Sequence, residues 1–386
     1  VQDKGKKTKV RLLAVACAVA ATLSLAACGD NVPQEANEAS SAGKSKISGE
    51  FQGAGASSQQ GAVEAWIAMY QRHNRDVKIA YNPTGSGAGI STFLTGATAW
   101  AATDAPLDAQ AIEQSKSICA GGGSAFDVPV YVSGITVAYN LKGLSGQDKH
   151  LNMDPATIAR IFDGKISSWD DPAIKEQNPK ANLPAKPITV VHRSDKSGTT
   201  KNFLSYLKDT AGEDWPYEAG ENWPNDVGQG SKGASGVAST VGQADGTIGY
   251  VDASKVGTLG TVSLKVGQAY VPYSPQAAST VVDSSKIGQE ASGPGRLVIE
   301  LDHGTQAANA YPLLLVSYDV ACPAYQDADT ARFIKSWLTY EVSRDGQQLV
   351  ADNAGAVPLS AATRAKVMKS ISLISVSSPS SQGQGK

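Results

Sequence analysis

Four short stretches put glycine or hydroxyl residues between strand-like and helix-like segments: GAGASS at Gly53–Ser58, TGSGAG at Thr84–Gly89, ATDAPL at Ala102–Leu107 and HRSDKSGTT at His192–Thr200. Val63, Trp66, Ile67 and Tyr70 recur at i, i+3, i+4 and i+7, which predicts an amphipathic helix over Gly61–Asn74. Val77–Tyr81 reads as a strand running into Pro83-Thr84-Gly85-Ser86, and Ile90, Phe93 and Leu94 resume helical spacing behind it. Trp100–Thr103 is a further strand with Asp104 at its C-terminal end, where ligands of open α/β sheets collect. Val128–Asn140, Ile188–His192, Ile248–Val251 and Leu313–Tyr318 read as strands. Asp154-Pro155 opens a helix with an N-cap residue followed by proline, and Thr199–Leu207 and Thr330–Leu349 read as helices. Such alternation argues for α/β layers.

The four stretches supply what a dehydrated oxyanion needs. Each is expected at a helix N-terminus, where unpaired backbone N–H groups and the positive dipole end bind tetrahedral anions. Ser57, Ser86, Ser197 and Thr199 add hydroxyl donors, and Arg193 adds a planar fork of N–H donors. Asp104 is the odd member. A carboxylate repels an anion unless the anion carries a proton to donate, so the set favours phosphate over sulfate. A single Gly-Ser turn is a capped helix and nothing more; four of them with an arginine and an unpartnered aspartate are a candidate site.

Read in order, GAGASS, TGSGAG, ATDAPL, IFDGKISSWDDPAIKEQNP, ITVVHRSDKSGTT and GTIGYVD resemble the phosphate-binding protein of high-affinity phosphate ABC transporters (PstS type), from about Gly53 to about Pro358. One departure is visible: the family often has Thr-Phe where this chain has Ser57-Ser58. The resemblance implies an α/β, two-lobed periplasmic-binding-protein fold with a hinge and a ligand cleft between the lobes. Lobe 1 would comprise residues 49–131 and 313–371, and lobe 2 residues 132–312, with crossings near Val130–Ser133 and Ala310–Leu314. The first lobe would offer phosphate Ser57, the backbone N–H of Ser58, Ser86 and Asp104. The second would offer Arg193, Ser197, the backbone N–H of Gly198, and Thr199. Asp195 would hold the Arg193 guanidinium in place. The implied partners are inorganic phosphate and the permease subunits of an ABC transporter, with the protein a monomer and no cofactor, metal or catalysis involved.

The N-terminus reads as a targeting segment. Lys4, Lys6, Lys7, Lys9 and Arg11 precede a small and apolar run from Leu12 to Leu25, too short for a comfortable membrane span. Leu25-Ala26-Ala27-Cys28 resembles a bacterial lipobox, which makes residues 1–27 a signal peptide and Cys28 the lipidation site on the extracytoplasmic face of the cell membrane. An ordinary signal peptide with an incidental cysteine is the alternative. Residues 28–48 read as a lipid anchor and flexible tether, and residues 372–386 as a disordered tail. Removal of Cys17 and lipidation of Cys28 leave Cys119 and Cys322; in an exported protein a disulfide is favoured over two separate buried thiols.

Other chemistries find less support. Gly228–Gly233 matches G-x-G-x-x-G, but WPND before it reads as a turn, so a loop leading into an Ala234–Gly242 helix is favoured over a dinucleotide site. Neither a phosphate-binding G-x-x-x-x-G-K-[ST] loop nor a G-x-S-x-G elbow nor an H-E-x-x-H helix occurs, and the four histidines lack ligand spacing. Net charge is −2 over 386 residues, which leaves no nucleic-acid footprint and makes local dipoles the source of anion capture. An extracellular phosphate-ester hydrolase and a non-transport adhesin borrowing the fold are the competing readings.

Overall fold

A computed structural model describes residues 46–288 and 293–377; the leader, Cys28 and the last nine residues lie outside them. From the N-terminal side, β1 (Gly49–Gly55), α1 (Gln60–His73), β2 (Val77–Asn82), α2 (Ser86–Leu94), β3 (Trp100–Thr103) and α3 (Ala109–Ser115) alternate as predicted. β2, β1 and β3 are parallel neighbours. The long strand β4 (Phe126–Asn140) follows, then β5 (His150–Met153), α4 (Pro155–Phe162), α5 (Pro172–Gln177), β6 (Thr189–Arg193), α6 (Gly198–Ala211), β7 (Gln229–Ser231), α7 (Gly233–Gln243), β8 (Thr247–Asp252), β9 (Gly260–Val266), β10 (Ala269–Val271) and α8 (Pro275–Ser284). After two short strands, β11 (Lys286–Ile287) and β12 (Ile299–Glu300), the chain returns through β13 (Leu314–Ala321), β14 (Ala324–Tyr325), α9 (Ala328–Glu341), α10 (Arg344–Ala354), α11 (Ala361–Ser372) and β15 (Ser375–Val376).

β4 is shared by two groups of strands. Up to Gly134 it pairs antiparallel with β13, whose other edge pairs with β3; from Ile135 onward it pairs with β8 and β9. That exchange of partners falls just beyond the predicted crossing at Val130–Ser133. Aromatic clusters pack in each half. In one, Phe51 stacks on Phe333 with centroids 3.9 Å apart, and Trp100, Tyr70 and Trp337 pack around them. In the other, Phe203 stacks on Tyr250 at 4.4 Å, with Phe162 and Trp223 against them. Offset and edge-on aromatic pairs of this kind add about 0.5–1.5 kcal/mol beyond area burial.

Several expectations need correction. The predicted helix Thr330–Leu349 is two helices, α9 and α10, because Ser343 breaks the first and caps the second by accepting from the Gly346 N–H at 3.0 Å. The stretch at Gly228–Gly233 is no flexible loop: Gln229–Ser231 forms β7, parallel to β6, and α7 starts at Gly233 in the left-handed region (φ 70°). Order also continues past Ser372, since Ser375–Val376 pairs with β14 and Ile374 is buried. Cys119 and Cys322 are bonded, as the cysteine usage predicts, across a sequence separation of 203 residues.

Candidate functional site

Five turns meet at the C-terminal ends of parallel strands, where backbone dipoles and free N–H groups converge. Ser57 and Ser58 follow β1, Ser86 follows β2, and Asp104 follows β3. Arg193 ends β6, with Asp195 to Thr199 leading into α6, and Gly233 follows β7. GAGASS ends one residue before Gln59, the N-cap of α1, and ATDAPL likewise departs from the prediction. It is not a helix start; α3 begins at Ala109, capped by Asp108, and Asp104 stands on the turn between.

Asp104 is buried, and it is not unpartnered. Its Oδ2 accepts from the hydroxyls of Ser58 (2.5 Å) and Thr199 (2.9 Å), and its Oδ1 from that of Ser317 (2.8 Å). Burial raises its pKa above the usual carboxylate value, while those three hydroxyls and the Arg193 charge pull the other way. Ser58, expected to contribute its backbone N–H, thus also engages through its side chain. The Ser86 hydroxyl accepts from the N–H groups of Asp104 (3.2 Å) and Gly198 (3.1 Å), which leaves its own proton to donate.

Arg193 is buried at the end of β6. Its Nε donates to Asp195 Oδ1 at 2.7 Å and its Nη2 donates to Asp195 Oδ2, so Asp195 holds the guanidinium in the orientation expected. The Nη1 edge is not committed to that pair. Burial works against the Asp195 charge, but Arg193 together with the backbone N–H groups of Gly233 and Asp195 outweighs it, and the carboxyl titrates below its ordinary range. Lys196, also in this stretch, pairs instead with Glu221 at 3.2 Å and is half exposed.

Ser197 is the N-cap of α6, accepting from the Thr200 N–H at 3.2 Å. At Gly198, α6 packs closely on the turn after β3. A Cβ there would sit 2.7 Å from the Asp104 carbonyl carbon and 2.8 Å from the Ala105 nitrogen, so only glycine permits the approach.

All eight predicted ligand positions and Asp195 therefore lie in these converging turns. Three contributors escaped sequence reading. The start of α7 donates from Gly233 N–H to Asp195 Oδ1 (2.9 Å) and from Ala234 N–H to the Ser57 hydroxyl (2.9 Å). Asn202, one turn into α6, donates to the Asp104 carbonyl at 2.7 Å. Ser317 comes from a strand that offers no signal beyond one hydroxyl in an apolar run. Among the described residues no group of three or more His, Cys, Asp or Glu side chains could hold a metal ion. A cavity of about 620 Å³ lined by Lys149, His150, Asn152, Gln177 and Lys180 lies elsewhere and contains none of the predicted residues.

Comparison with known proteins fits this arrangement. The PBP superfamily domain matches residues 40–345. Phosphate-binding protein PstS 2 of Mycobacterium tuberculosis is 31% identical over 372 residues, covering 94% of this chain and 98% of that one. Phosphate-binding protein PstS 3 of Mycobacterium leprae is 32% identical over 308 residues, covering 79% and 81%. The high-affinity periplasmic phosphate-binding protein PfluDING, solved with phosphate, superposes with a TM-score of 0.66 at 18% identity over 83% of this chain and 93% of that one. A phosphate-binding protein from Stenotrophomonas maltophilia gives 0.60 at 17% identity over the same shares. The structural likenesses establish the two-lobed fold, and the sequence matches place this chain in the PstS-type phosphate-binding protein family of the PBP superfamily.

Proposed function

We propose that the protein is an extracytoplasmic solute-binding protein that captures inorganic phosphate and delivers it to an ABC permease. The observation that carries this reading is the convergence of two differently held groups: Asp104, a buried carboxylate held by three hydroxyls and within reach of the Arg193 charge, and Arg193, a buried guanidinium held by Asp195 with one edge uncommitted. Arg193 and the backbone N–H groups of the turns neutralise the anion, and the hydroxyls of Ser57, Ser58, Ser86, Ser197 and Thr199 swing to complete its shell. Asp104 accepts the proton that phosphate keeps near neutral pH. Sulfate has none to give.

The lobes divide at β4 and at the entry to β13, lobe 1 being 49–131 with 313–371 and lobe 2 being 132–312; the change of partners along β4 supports this division. Closure of the two lobes on the ligand is the motion such a division allows. Residues 1–27 act as a signal peptide and Cys28 carries the lipid that keeps the protein at the membrane. A Cys28→Ser variant that still partitions with membranes and carries lipid label would remove that assignment.

Calorimetric titration of ligand-stripped protein with phosphate, sulfate and arsenate tests the function. Saturable phosphate binding with sulfate excluded is expected; absence of phosphate binding refutes it.

A further inference from the structure

Asp104 is the acceptor on which the proposed selectivity depends, and one of its three donors lies outside every glycine or hydroxyl motif. Ser317 sits in the interior of β13, fully buried, and donates to Oδ1 at 2.8 Å. The register explains the contact. Tyr318 faces Thr103 and Asp319 faces Ala102 across β13 and β3, so the next position in the antiparallel ladder sets Ser317 opposite Asp104. On its other edge the register with β4 slips between Ser317 and Tyr318: Ser317 faces Tyr131, Tyr318 faces Pro129, and Val130 is left over. The Val130 carbonyl is satisfied instead by Gln347 Nε2 at 2.7 Å. Bulges of this kind re-aim side chains near functional sites.

The three donors are not equivalent. Ser58 and Thr199 both serve Oδ2 and stand at a strand end and a helix start, where a hydroxyl can turn to a bound anion. Ser317 is held between two paired strands. We propose that Ser317 is the positioning residue that keeps Asp104 charged and aimed, and so sets how sharply the site separates a tetrahedral oxyanion bearing a proton from one without. The inference rests on Asp104 being the acceptor for the ligand's proton.

The physical reason lies in what else faces Asp104. Arg193 on β6 favours its charged form, and burial opposes it. Asp252, at the end of β8, is pushed up to about 6, chiefly by burial, with the Asp104 charge adding to the rise. Tyr81 on β2 and Tyr131 on β4 have pKa values raised chiefly by burial, with the Asp104 charge adding to the rise. With burial against it, Asp104 relies on its hydroxyl donors and on Arg193 to remain ionised. Once protonated it becomes a donor, and an unprotonated oxyanion is then welcome.

The experiment titrates phosphate, with sulfate as competitor, from pH 5 to 9 into the parent and Ser317→Ala, and follows the Asp104 carboxyl carbon by ¹³C NMR. Loss of one hydrogen bond to a charged group should weaken phosphate about tenfold near neutrality. Sulfate competition should set in at a higher pH than in the parent, and the Asp104 titration should move upward. Should Ser317→Ala fail to fold, Ser317→Cys, nearly the same shape with a much weaker donor, carries the same expectations. A folded variant with the parent's Asp104 titration and sulfate exclusion overturns the inference, whatever its phosphate affinity. A parent that binds no phosphate overturns the functional reading, and this inference with it.

Discussion

The Thr199 hydroxyl donates to Asp104 Oδ2 at 2.9 Å across 95 residues of chain. One turn further along α6, Asn202 donates to the Asp104 carbonyl, so the start of one helix grips both the side chain and the backbone of the turn after β3. Asp104 is thereby fixed, side chain and backbone, by a distant part of the sequence, a precondition for using its charge to select a ligand.

Asp104→Asn tests selectivity directly. The amide keeps the shape but can donate as well as accept, so it no longer repels an unprotonated oxyanion. Phosphate binding should persist while sulfate competition rises from negligible to detectable. Continued complete exclusion of sulfate would assign the discrimination to other groups.

Arg193→Lys should weaken phosphate binding. Lysine loses the planar fork that lets one edge face Asp195 and leaves another for the anion. Hydrogen bonds to charged groups contribute about 1.5–3 kcal/mol each, so the loss should reach tenfold or more in Kd. An unchanged Kd for Arg193→Ala would move the site elsewhere.

Cys119 and Cys322 tie the segment after α3 to the end of β13. In the chain-entropy account a loop of this length contributes up to about 5 kcal/mol, and often less. Reduction, or the Cys119→Ser/Cys322→Ser double variant, should lower the Tm. Alkylation of the protein under denaturing, non-reducing conditions should find neither Cys119 nor Cys322 free; labelling of both would refute the bridge.

A buried acid pair should give the fold a pH dependence. Asp319 on β13 and Glu341 at the end of α9 are both fully buried and act on each other, and burial raises the pKa of each. Two such carboxyls cannot both be ionised, so the pair retains a proton. The sign follows from linkage. With folded pKa values above the unfolded ones, near 4, the folded state binds more protons than the unfolded state, and stability falls as pH rises above about 4. Asp104 and Asp252 add to the same trend. Glu341→Gln removes one member, so its stability should fall less than the parent's between pH 5 and 9, by about 1 kcal/mol or more. Parallel denaturation curves for the two across that range would exclude a shared proton.

Much of the fold was legible because local periodicity and turn chemistry are local properties. The alternation at Val63, Trp66, Ile67 and Tyr70 located α1 to within a residue at each end, and Asp154-Pro155 located the start of α4, where Asp154 accepts from the Thr157 N–H. The helix break at Ser343 was hidden because apolar spacing continued through it. Its signal was a serine three residues before Gly346, whose carbonyl accepts from the Trp66 indole on α1, a contact no local reading supplies.

By itself the sequence determined which groups could meet an anion: hydroxyls, glycines, Arg193 and Asp104, clustered at turns whose chemistry is written in six to nine residues. Only the tertiary structure decided which of them touch. That Ser317 faces Asp104 depends on the register of β13 against β3, and that α7 rather than a loose loop meets Asp195 and Ser57 depends on β7 pairing with β6. Register and partner choice arise from contacts between residues tens to hundreds of positions apart, and the pattern within a single segment carries no record of them.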